Sequence, residues 1–370
     1  MNSSSPGQRA VRRARQIIEA TSLDLRGLSV YTEAATGSYC VTPVLAALSG
    51  ARRVFALAQD SRFGLAAQAL SATAAFAEQA GVMDRIVLVA EKRGADVECA
   101  DIVTNSGHVR PIDTEMVAWM KPSAVVSLMY EPWEFRPQDV DLDACRAKGI
   151  AVAGTDESHA VAGVMDYLGM MALKLLLDGG IEVVGSHAVV WSNNKFCGYI
   201  ARTLASVGAR VSAICGLELW GDIDAAASTI HYLGGADHAW PHLPQIRGAD
   251  VILLAMSPSK TIWIGTTEEA VIAADVLAAV APGVCIAQFC GAVDRQALLA
   301  LGLQALPAEE PAPQHMGVLP SSLGVVPVLR LQAGGLKVGE VLARSRLTGA
   351  SCEAAVAQAI ASGYALGLTG

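Results

Sequence analysis

The sequence predicts an α/β protein with two domains, each built on a parallel β-sheet, and a ligand cleft between the domains. Short apolar runs punctuated by Gly, Asp or Pro alternate with helical stretches along most of the chain. Strands that alternate with helices form right-handed crossovers and therefore parallel sheets. The chain has 370 residues, of which 52% are hydrophobic, so it is long enough for two cores.

The first domain is predicted at residues 20–155, and residues 335–370 are expected to return to it. Its strands are expected at residues 28–31, 53–58, 85–90, 102–104, 124–128 and 150–153, with helices at 44–48 and 64–80. Each strand is a short apolar run, as expected for strands buried on both faces of a sheet. The tail at 352–366 is rich in small residues and is predicted to be a helix that packs back on the first sheet.

A connecting helix is predicted within residues 160–180, and a nucleotide-binding domain within residues 180–325. The apolar helical pattern spans 161–177 and stops at two glycines, a common C-terminal signal. The second domain is expected to contain strands at 187–190, 210–214, 251–255 and 284–287, and a helix at 200–207. Residues 305–313 are rich in Pro and Glu and predict a surface loop.

Composition excludes several classes of partner. The net charge of −8 argues against nucleic acid as a partner, because no basic stripe can neutralise phosphates. No run of about 18 uncharged apolar residues is present, so no membrane partner is predicted. The eight cysteines form no C-x-x-C pair, which favours a reducing cytoplasm over a disulfide framework or a zinc site. The histidines show no metal-binding spacing with acids or thiols, so no metal is predicted.

Residues 187–204 have the strand–turn–helix pattern with which a dinucleotide-binding Rossmann unit begins. Alignment on the helix places the three usual glycine positions at Asn193, Lys195 and Gly198, with Asn194 completing the turn. Asparagine tolerates a left-handed backbone, so Asn193 is expected to make the bend. Lys195 either crowds a diphosphate or pairs with it. The acid that normally holds a ribose hydroxyl is missing from the end of the next strand, and this favours NADP over NAD.

Four segments of the chain resemble parts of a known family. These are residues 140–152, 285–298, 307–311 and 318–321. Together they resemble the D-2-hydroxyacid dehydrogenase superfamily, with the two-domain Rossmann architecture of formate and glycerate dehydrogenases. The resemblance implies that the first domain is a flavodoxin-like substrate or cap domain, and that the second binds the nucleotide.

The resemblance also places three catalytic positions, only one of which keeps its residue. In that family an arginine binds the substrate carboxylate, a histidine exchanges a proton, and a glutamate orients the histidine. The matching positions here are Cys290, Ser321 and Glu310 respectively. A thiol cannot replace a bidentate guanidinium, and a hydroxyl cannot replace an imidazole that titrates near neutral pH. His315 is the nearest imidazole to the lost histidine and is a candidate to replace it.

Polar groups at the carboxyl ends of the predicted strands are further candidates, because α/β proteins place ligands there. They are Glu33, Thr36, Gly37, Asp60, Ser61, Arg62, Asn105, Ser106, Gly107 and Glu131. The turn at Thr36 either binds an anion through backbone N–H groups or only caps a helix. Arg62 and Arg136 are the alternatives for binding a substrate carboxylate, unless neither does so.

Three more ionisable residues are candidates for catalysis. His159 lies at the expected hinge and is either an acid/base group or part of a helix cap. Asp166 interrupts an apolar helical pattern, so its carboxylate must be exposed, paired or functional. Cys290 is a nucleophile if a cation or helix N-terminus lowers its pKa, and otherwise a small buried residue.

Three functions remain open from the sequence. The first is an NAD(P)-dependent oxidoreductase acting on a small carboxylate, carbonyl or imine metabolite. The second is a non-redox enzyme that binds S-adenosylmethionine or another nucleotide-like ligand. The third is a non-catalytic sensor or partner subunit. A homodimer formed through apolar helices such as 161–177 is also expected.

Overall fold

The structure is a computed structural model that describes residues 7–61, 64–216, 230–234, 244–266, 270–312 and 315–368. The chain divides into two compact units. Unit 1 comprises Met1–Val164 and Gly324–Gly370, and unit 2 comprises Met165–Leu323. Unit 2 is therefore one continuous segment, whereas unit 1 is formed by two segments that flank it.

The strands follow in chain order. They are β1 (Ser29–Glu33), β2 (Arg53–Leu57), β3 (Ile86–Val89), β4 (Ile102–Thr104), β5 (Val125–Ser127), β6 (Ala151–Thr155), β7 (His187–Ser192), β8 (Arg210–Ile214), β9 (Ile230–Gly234), β10 (Val251–Ala255), β11 (Ile262–Gly265), β12 (Ile272–Ala273), β13 (Cys285–Cys290), β14 (Ala292–Val293), β15 (Ala305–Leu306) and β16 (Ala365–Leu366).

The α-helices of the described residues are α1 (Gln8–Thr21), α2 (Val41–Leu48), α3 (Ala66–Ala80), α4 (Gly94–Glu98), α5 (Thr114–Trp119), α6 (Leu142–Lys148), α7 (Tyr167–Asp178), α8 (Phe196–Ser206), α9 (Ala274–Val280), α10 (Arg295–Ala300), α11 (Val325–Leu347) and α12 (Cys352–Ala361). Short 3-10 helices include Gly37–Cys40, Gly107–Val109, Pro132–Glu134 and Pro320–Leu323.

Unit 1 contains a sheet with the order β3-β2-β1-β4-β5-β6, in which neighbouring strands run parallel, and β16 adds an antiparallel edge beside β6. In chain numbering this is 3-2-1-4-5-6, the order of a Rossmann sheet and not the 2-1-3-4-5 order of flavodoxin. Crossovers on either side of β1 leave a switch point between β1 and β4.

The core of unit 1 lies on both faces of this sheet. Helices α1, α2 and α11 pack with α12 on one face, where apolar residues from β1, β2 and β4 meet them. Glycines let α11 approach the strands closely, because a Cβ at Gly339 would lie 2.6 Å from Cγ2 of Ile102. The other face is covered by α4, α5 and α6 around Tyr31, Val103 and Val126.

Unit 2 contains a six-stranded parallel sheet with the order β9-β8-β7-β10-β13-β15. Numbered within the unit, this is again 3-2-1-4-5-6, with the switch point between β7 and β10. A small parallel sheet, β12-β11-β14, packs its apolar residues into the same core. The predicted α/β class with Rossmann-like parallel sheets is confirmed.

The connecting helix starts later than the apolar pattern predicts, at Tyr167. Before it, Nδ1 of His159 accepts the backbone N–H groups of Val161 and Ala162, both at 3.2 Å. Side-chain bonds of this kind offer the backbone an alternative to helix. A Cβ at Gly163 would also collide with backbone oxygens of the same turn. The segment therefore forms compact turns in place of the first helical turns predicted.

The C-terminal tail also differs from the single helix predicted at 352–366. Helix α12 ends at Ala361, and Gly363 has a φ of +80°, which only glycine adopts readily. The chain then reverses, and Ala365 pairs with Thr155 of β6. The tail does return to the first sheet, but it contributes both a helix and a strand.

Candidate functional site

Unit 2 places the predicted dinucleotide turn at its switch point, where β7 ends and α8 begins. Ligands of open α/β sheets bind outside the carboxyl ends of the strands at such a point. The turn is formed by Asn193, Asn194 and Lys195, all partly buried, directly before Phe196 opens α8. The structure thus brings the predicted cofactor-binding residues together at one edge of the sheet.

Both asparagine side chains of this turn bond to the end of β10. Oδ1 of Asn193 accepts the backbone N–H of Ser257 at 2.9 Å, and Nδ2 of Asn194 donates to the Ser257 carbonyl at 2.7 Å. Ser192 adds a third link by donating its hydroxyl to the Ala255 carbonyl at 2.8 Å. The two strands that flank the switch point are therefore tied together by side chains.

The N-terminus of α8 is also capped from within the turn. Oδ1 of Asn194 accepts the Phe196 N–H at 2.9 Å, and the Asn194 carbonyl accepts the Cys197 N–H at 3.3 Å. Of the described non-glycine residues only Ser22 has a positive φ, so Asn193 does not make the left-handed bend predicted for it. Gly198 is buried in the first turn of α8.

Two thiols meet behind the turn, at the end of β8. A hydrogen bond between the thiols of Cys197 and Cys215, together with burial, raises the pKa of Cys197 well above its usual value. Cys215 lies where a ribose-binding acid would be expected. Glu218, the nearest acid in sequence, lies outside the described residues. The described end of β8 therefore provides thiols in place of a carboxylate.

At the end of β13 the structure shows an arginine that sequence comparison did not assign. Arg295 donates to Oε1 of Gln288 at 2.8 and 3.0 Å and to the Pro307 carbonyl at 2.6 Å. Burial lowers the pKa of Arg295, and the charge of Glu310 opposes that shift. Glu310 is exposed and acts on this guanidinium. The sequence signal pointed to Cys290, five positions earlier, so Arg295 was missed.

The other catalytic candidates of unit 2 do not gather around one point. Cys290 is buried at the end of β13, where its carbonyl accepts the Met256 N–H at 3.1 Å. His315 is exposed, with its N–H bonded to the Ala312 carbonyl. Ser321 lies in the 3-10 helix that packs against α7. Asp166 is exposed just before α7, so exposure alone accounts for a carboxylate in that apolar segment.

Unit 1 places Glu33 at its own switch point, at the carboxyl end of β1. The side chain is buried, and loss of hydration raises the pKa of its carboxyl to about 7, opposed by the Arg110 charge and by a hydrogen bond from the His108 N–H. Gly107 covers the carboxyl closely, since a Cβ there would collide with Oε2 of Glu33. Glycine is therefore required at position 107 for this packing.

Asn105 lies beside Glu33, at the end of β4. The pairing of Tyr31 with Val103, continued by two residues, puts Glu33 and Asn105 on the same face of neighbouring strands. Oδ1 of Asn105 accepts the Met129 N–H at 2.8 Å. Its Nδ2 is buried without a hydrogen-bond partner in the protein. Asn105 was named only among strand-end groups from the sequence, because no pattern reveals an unpaired amide.

An ion-paired network lies next to these two residues. Arg110 pairs with Asp139 at 3.1 Å, and the Tyr130 hydroxyl donates to the same carboxylate at 3.1 Å. Burial raises the pKa of Tyr130, and the Asp139 charge and hydrogen bond add to the shift. The guanidinium therefore lies close enough to influence Glu33 while it is neutralised by Asp139.

The remaining candidates of unit 1 have structural partners or lie apart. Glu131 is buried and accepts the Trp133 indole N–H at 2.5 Å and the Glu157 N–H at 3.2 Å. Thr36 is exposed at the start of a 3-10 helix and makes no side-chain cap. Arg136 is partly buried in the loop after Pro132–Glu134. Arg62 lies outside the described residues.

His159 is part of the turn that precedes α7. Besides accepting two backbone N–H groups through Nδ1, its ring stacks on Tyr364 with centroids 4.0 Å apart. These contacts hold the returning tail against the turn, since the Asp156 N–H also donates to the Tyr364 carbonyl at 2.8 Å. Of the two alternatives for His159, the structure supports a local structural role.

The fold defined by these two units is shared with proteins of known structure. A dipicolinate synthase from Bacillus halodurans is similar with a TM-score of 0.54 at 13% identity, covering 84% of this chain and 96% of that protein's chain. The dipicolinate synthase from Bacillus subtilis gives a TM-score of 0.54 at 11% identity, covering 90% and 99%. NAD-dependent formate dehydrogenase from Staphylococcus aureus gives 0.45 at 14%, covering 84% and 92%.

These similarities confirm the predicted two-domain Rossmann architecture, which resembles that of the D-2-hydroxyacid dehydrogenase superfamily. At identities this low they show a shared fold. No family model and no curated protein sequence matches the chain. Within the described ranges, no helix has the length and apolar character needed to span a membrane. The same part of the chain contains no group of three or more metal-binding side chains.

Proposed function

We propose that the chain is an NAD(P)-dependent oxidoreductase that acts on a small carboxylate, carbonyl or imine metabolite. The observation that carries the proposal is the 3-2-1-4-5-6 strand order of unit 2, with a strand–turn–helix segment at the first strand. That order creates the crevice in which nucleotides bind. Hydride transfer is the chemistry that such a cofactor supplies when bound.

Lys195 is the residue proposed to hold a phosphate of the cofactor. It directly precedes α8, where the partial positive charge of the helix N-terminus also favours an anion. Asn194 already occupies the Phe196 N–H, so the backbone offers fewer donors here than a glycine-rich turn does. The lack of an acid at 213–216 favours NADP, because a ribose phosphate would meet no carboxylate there.

His315 is the residue proposed to exchange the proton. It is exposed in the same unit as the nucleotide turn, whereas Nδ1 of His159 is engaged by two backbone N–H groups. An imidazole titrates near neutral pH, as proton exchange at a hydroxyl or amine requires. Ser321 and Glu310 provide no group with that property.

The decisive experiment is a titration with NADPH, NADH and S-adenosylmethionine, followed by nicotinamide fluorescence and heat. We expect micromolar NADPH affinity that weakens about tenfold or more in Lys195→Ala, since a charged contact to phosphate is lost. Lys174→Ala is the matched control, because Lys174 lies on α7 of the same unit and pairs with Asp178. Equal weakening by both substitutions, or no nicotinamide binding, would contradict the proposal.

One observation favours a second function, a non-redox enzyme that binds S-adenosylmethionine or a similar nucleoside. The side chain of Asn194 satisfies the first amide of α8, and a ligand without a diphosphate has no need of that amide. Binding of S-adenosylmethionine together with no response to NADPH in the same titration would select this alternative. The affinity should then be insensitive to Lys195→Ala, because no phosphate is present to pair with the lysine.

A further inference from the structure

Unit 1 has a switch point of the same topology as that of unit 2, but its polar groups are not tied to each other. Of the side-chain amides in the described residues, that of Asn105 alone has a buried nitrogen without a partner, and only 2% of this residue is exposed. It belongs to the loop where β4 ends, beside the buried carboxyl of Glu33. A buried donor without an acceptor costs about 1–3 kcal/mol, so the arrangement suits a ligand that accepts a hydrogen bond.

The two side chains define the chemistry of that ligand. Nδ2 of Asn105 can only donate, so it requires a carbonyl or carboxylate oxygen and cannot coordinate a cation. Glu33 in its acid form also donates a hydrogen bond, and a neutral carboxyl acts in this way where burial disfavours its charge. Two donors at the ends of adjacent strands match the two oxygens of a carboxylate.

We propose that the β1–β4 switch point of unit 1 binds a small carboxylate, with Asn105 and the acid form of Glu33 each donating to one of its oxygens. Gly107 is part of the site because a larger residue would displace Glu33. The inference rests on the proposed function only in taking this carboxylate to be that of the substrate. Binding itself requires no nucleotide.

Binding of an anion beside Glu33 requires that Glu33 keep or take up a proton. The charged group that acts on Glu33 is Arg110, which is paired with Asp139, and the loop that packs against Glu33 contributes the His108 N–H. The pKa of Glu33 is about 7, so at pH 8 nearly one proton from solvent should accompany each bound carboxylate. The affinity should then be about tenfold lower at pH 8 than at pH 6.

The test is a calorimetric titration of the full chain, without nucleotide, using acetate, pyruvate and dipicolinate as probes at pH 6 and pH 8. Two buffers of different ionisation enthalpy at pH 8 report the protons taken up. In wild type we expect binding of at least one probe with proton uptake. In Glu33→Gln the amide donates at any pH, so binding should persist while both the pH dependence and the proton uptake disappear.

Asn105→Asp separates the binding role of the amide from its structural role. The substitution keeps an oxygen that can accept the Met129 N–H, but it replaces the unpaired donor by an acceptor that repels a carboxylate. We expect affinity to fall by about tenfold or more. Glu115→Gln, on the exposed surface of α5, is the control and should behave as wild type, and circular dichroism at both pH values verifies the fold of each variant.

Two results would overturn the inference. One is no heat from any probe at 10 mM with wild-type protein. The other is binding whose pH dependence survives Glu33→Gln and whose affinity survives Asn105→Asp. Either result is distinct from failure of the proposed function, because that is judged by the nucleotide titration and by Lys195. Carboxylate binding without NADPH binding would keep this site and remove the oxidoreductase proposal.

Discussion

The two units have the same strand order, yet their switch points are built in opposite ways. In unit 2 the side chains of Asn193 and Asn194 bond across the switch point to Ser257 and cap α8. In unit 1 the corresponding position holds a buried carboxyl with a pKa of about 7 and an asparagine nitrogen without a partner. One edge satisfies its own hydrogen bonds, and the other leaves donors for a ligand.

This difference shows that topology provides a place for a ligand, while the strand-end side chains decide whether the protein itself fills it. Buried polar groups are normally hydrogen-bonded within the protein. An exception at a site that the topology already favours is therefore informative about function. The same reasoning explains why the strand order of unit 2 supports nucleotide binding while its turn offers few free backbone donors.

The largest expected effect comes from breaking the side-chain links of unit 2. Asn194→Ala removes the cap of Phe196 and the bond to the Ser257 carbonyl, so we expect a loss of about 2–3 kcal/mol in the free energy of unfolding. Chemical denaturation measures it. Asn193→Ala removes the bond from the Ser257 N–H and should cost about 1 kcal/mol. A loss below about 0.5 kcal/mol for Asn194→Ala would show that the switch point of unit 2 does not depend on these links.

A substitution in unit 1 should have the opposite sign. Glu33 has a pKa raised from 4.5 to about 7 in the folded state, so the native state binds the proton more tightly than the unfolded state. The stabilisation is complete below pH 4.5 and is lost as pH rises through about 7. Glu33→Gln removes the ionisation penalty and should stabilise the protein at pH 8 by about 1–3 kcal/mol.

Denaturation curves of wild type and Glu33→Gln at pH 5 and pH 8 test this prediction. The difference between the two proteins should be small at pH 5, where the wild-type carboxyl is already neutral in the native state. A variant that is less stable than wild type at both pH values would mean that the carboxylate is paired in the folded protein. The comparison between the two switch points would then fail.

The smallest expected effect is acid sensitivity of unit 2. His187 is buried at the start of β7 with Nε2 bonded to Ser212 at 2.8 Å, while Nδ1 has no partner in the protein. Burial, followed by the charge of Arg210, lowers its pKa below 6.5, against the opposing charge of Asp250. Stability is therefore present above pH 6.5 and is lost as pH falls through the folded-state pKa, by about 1 kcal/mol or less.

Thermal unfolding of wild type and His187→Gln between pH 7.5 and pH 5 measures this contribution. Wild type should lose more stability than the variant over that interval, because only wild type can protonate this ring. If both lose stability equally, the acid sensitivity arises elsewhere. Together with Glu33, this predicts that unit 1 weakens as pH rises and unit 2 weakens as pH falls.

The sequence predicted the sheets better than the site. Strands β4, β8 and β10 begin and end as predicted, because apolar runs bounded by polar residues identify buried strands directly. The short strands β11, β12 and β14 were missed, since two to four residues carry no measurable periodicity. The start of α7 was also misplaced, because a histidine side chain competes with the helix for backbone N–H groups.

Site residues were predicted correctly where position alone decides, and missed where pairing decides. Glu33 and Asn193 were found because they end strands, and the ends of parallel strands share one edge. The unpaired nitrogen of Asn105 and the guanidinium of Arg295 depend on neighbours distant in sequence. Sequence comparison cannot show whether a polar group already has a partner.

The placement of α11 has a consequence for how the protein is made. This helix packs on β4, β5 and β6 of unit 1 but follows all of unit 2 in the chain. During synthesis on the ribosome, unit 2 is complete before α11 emerges, whereas the first 164 residues wait with one face of their sheet uncovered. Unit 2 is therefore expected to fold first, and the older part of the nascent chain is the one that most needs chaperones.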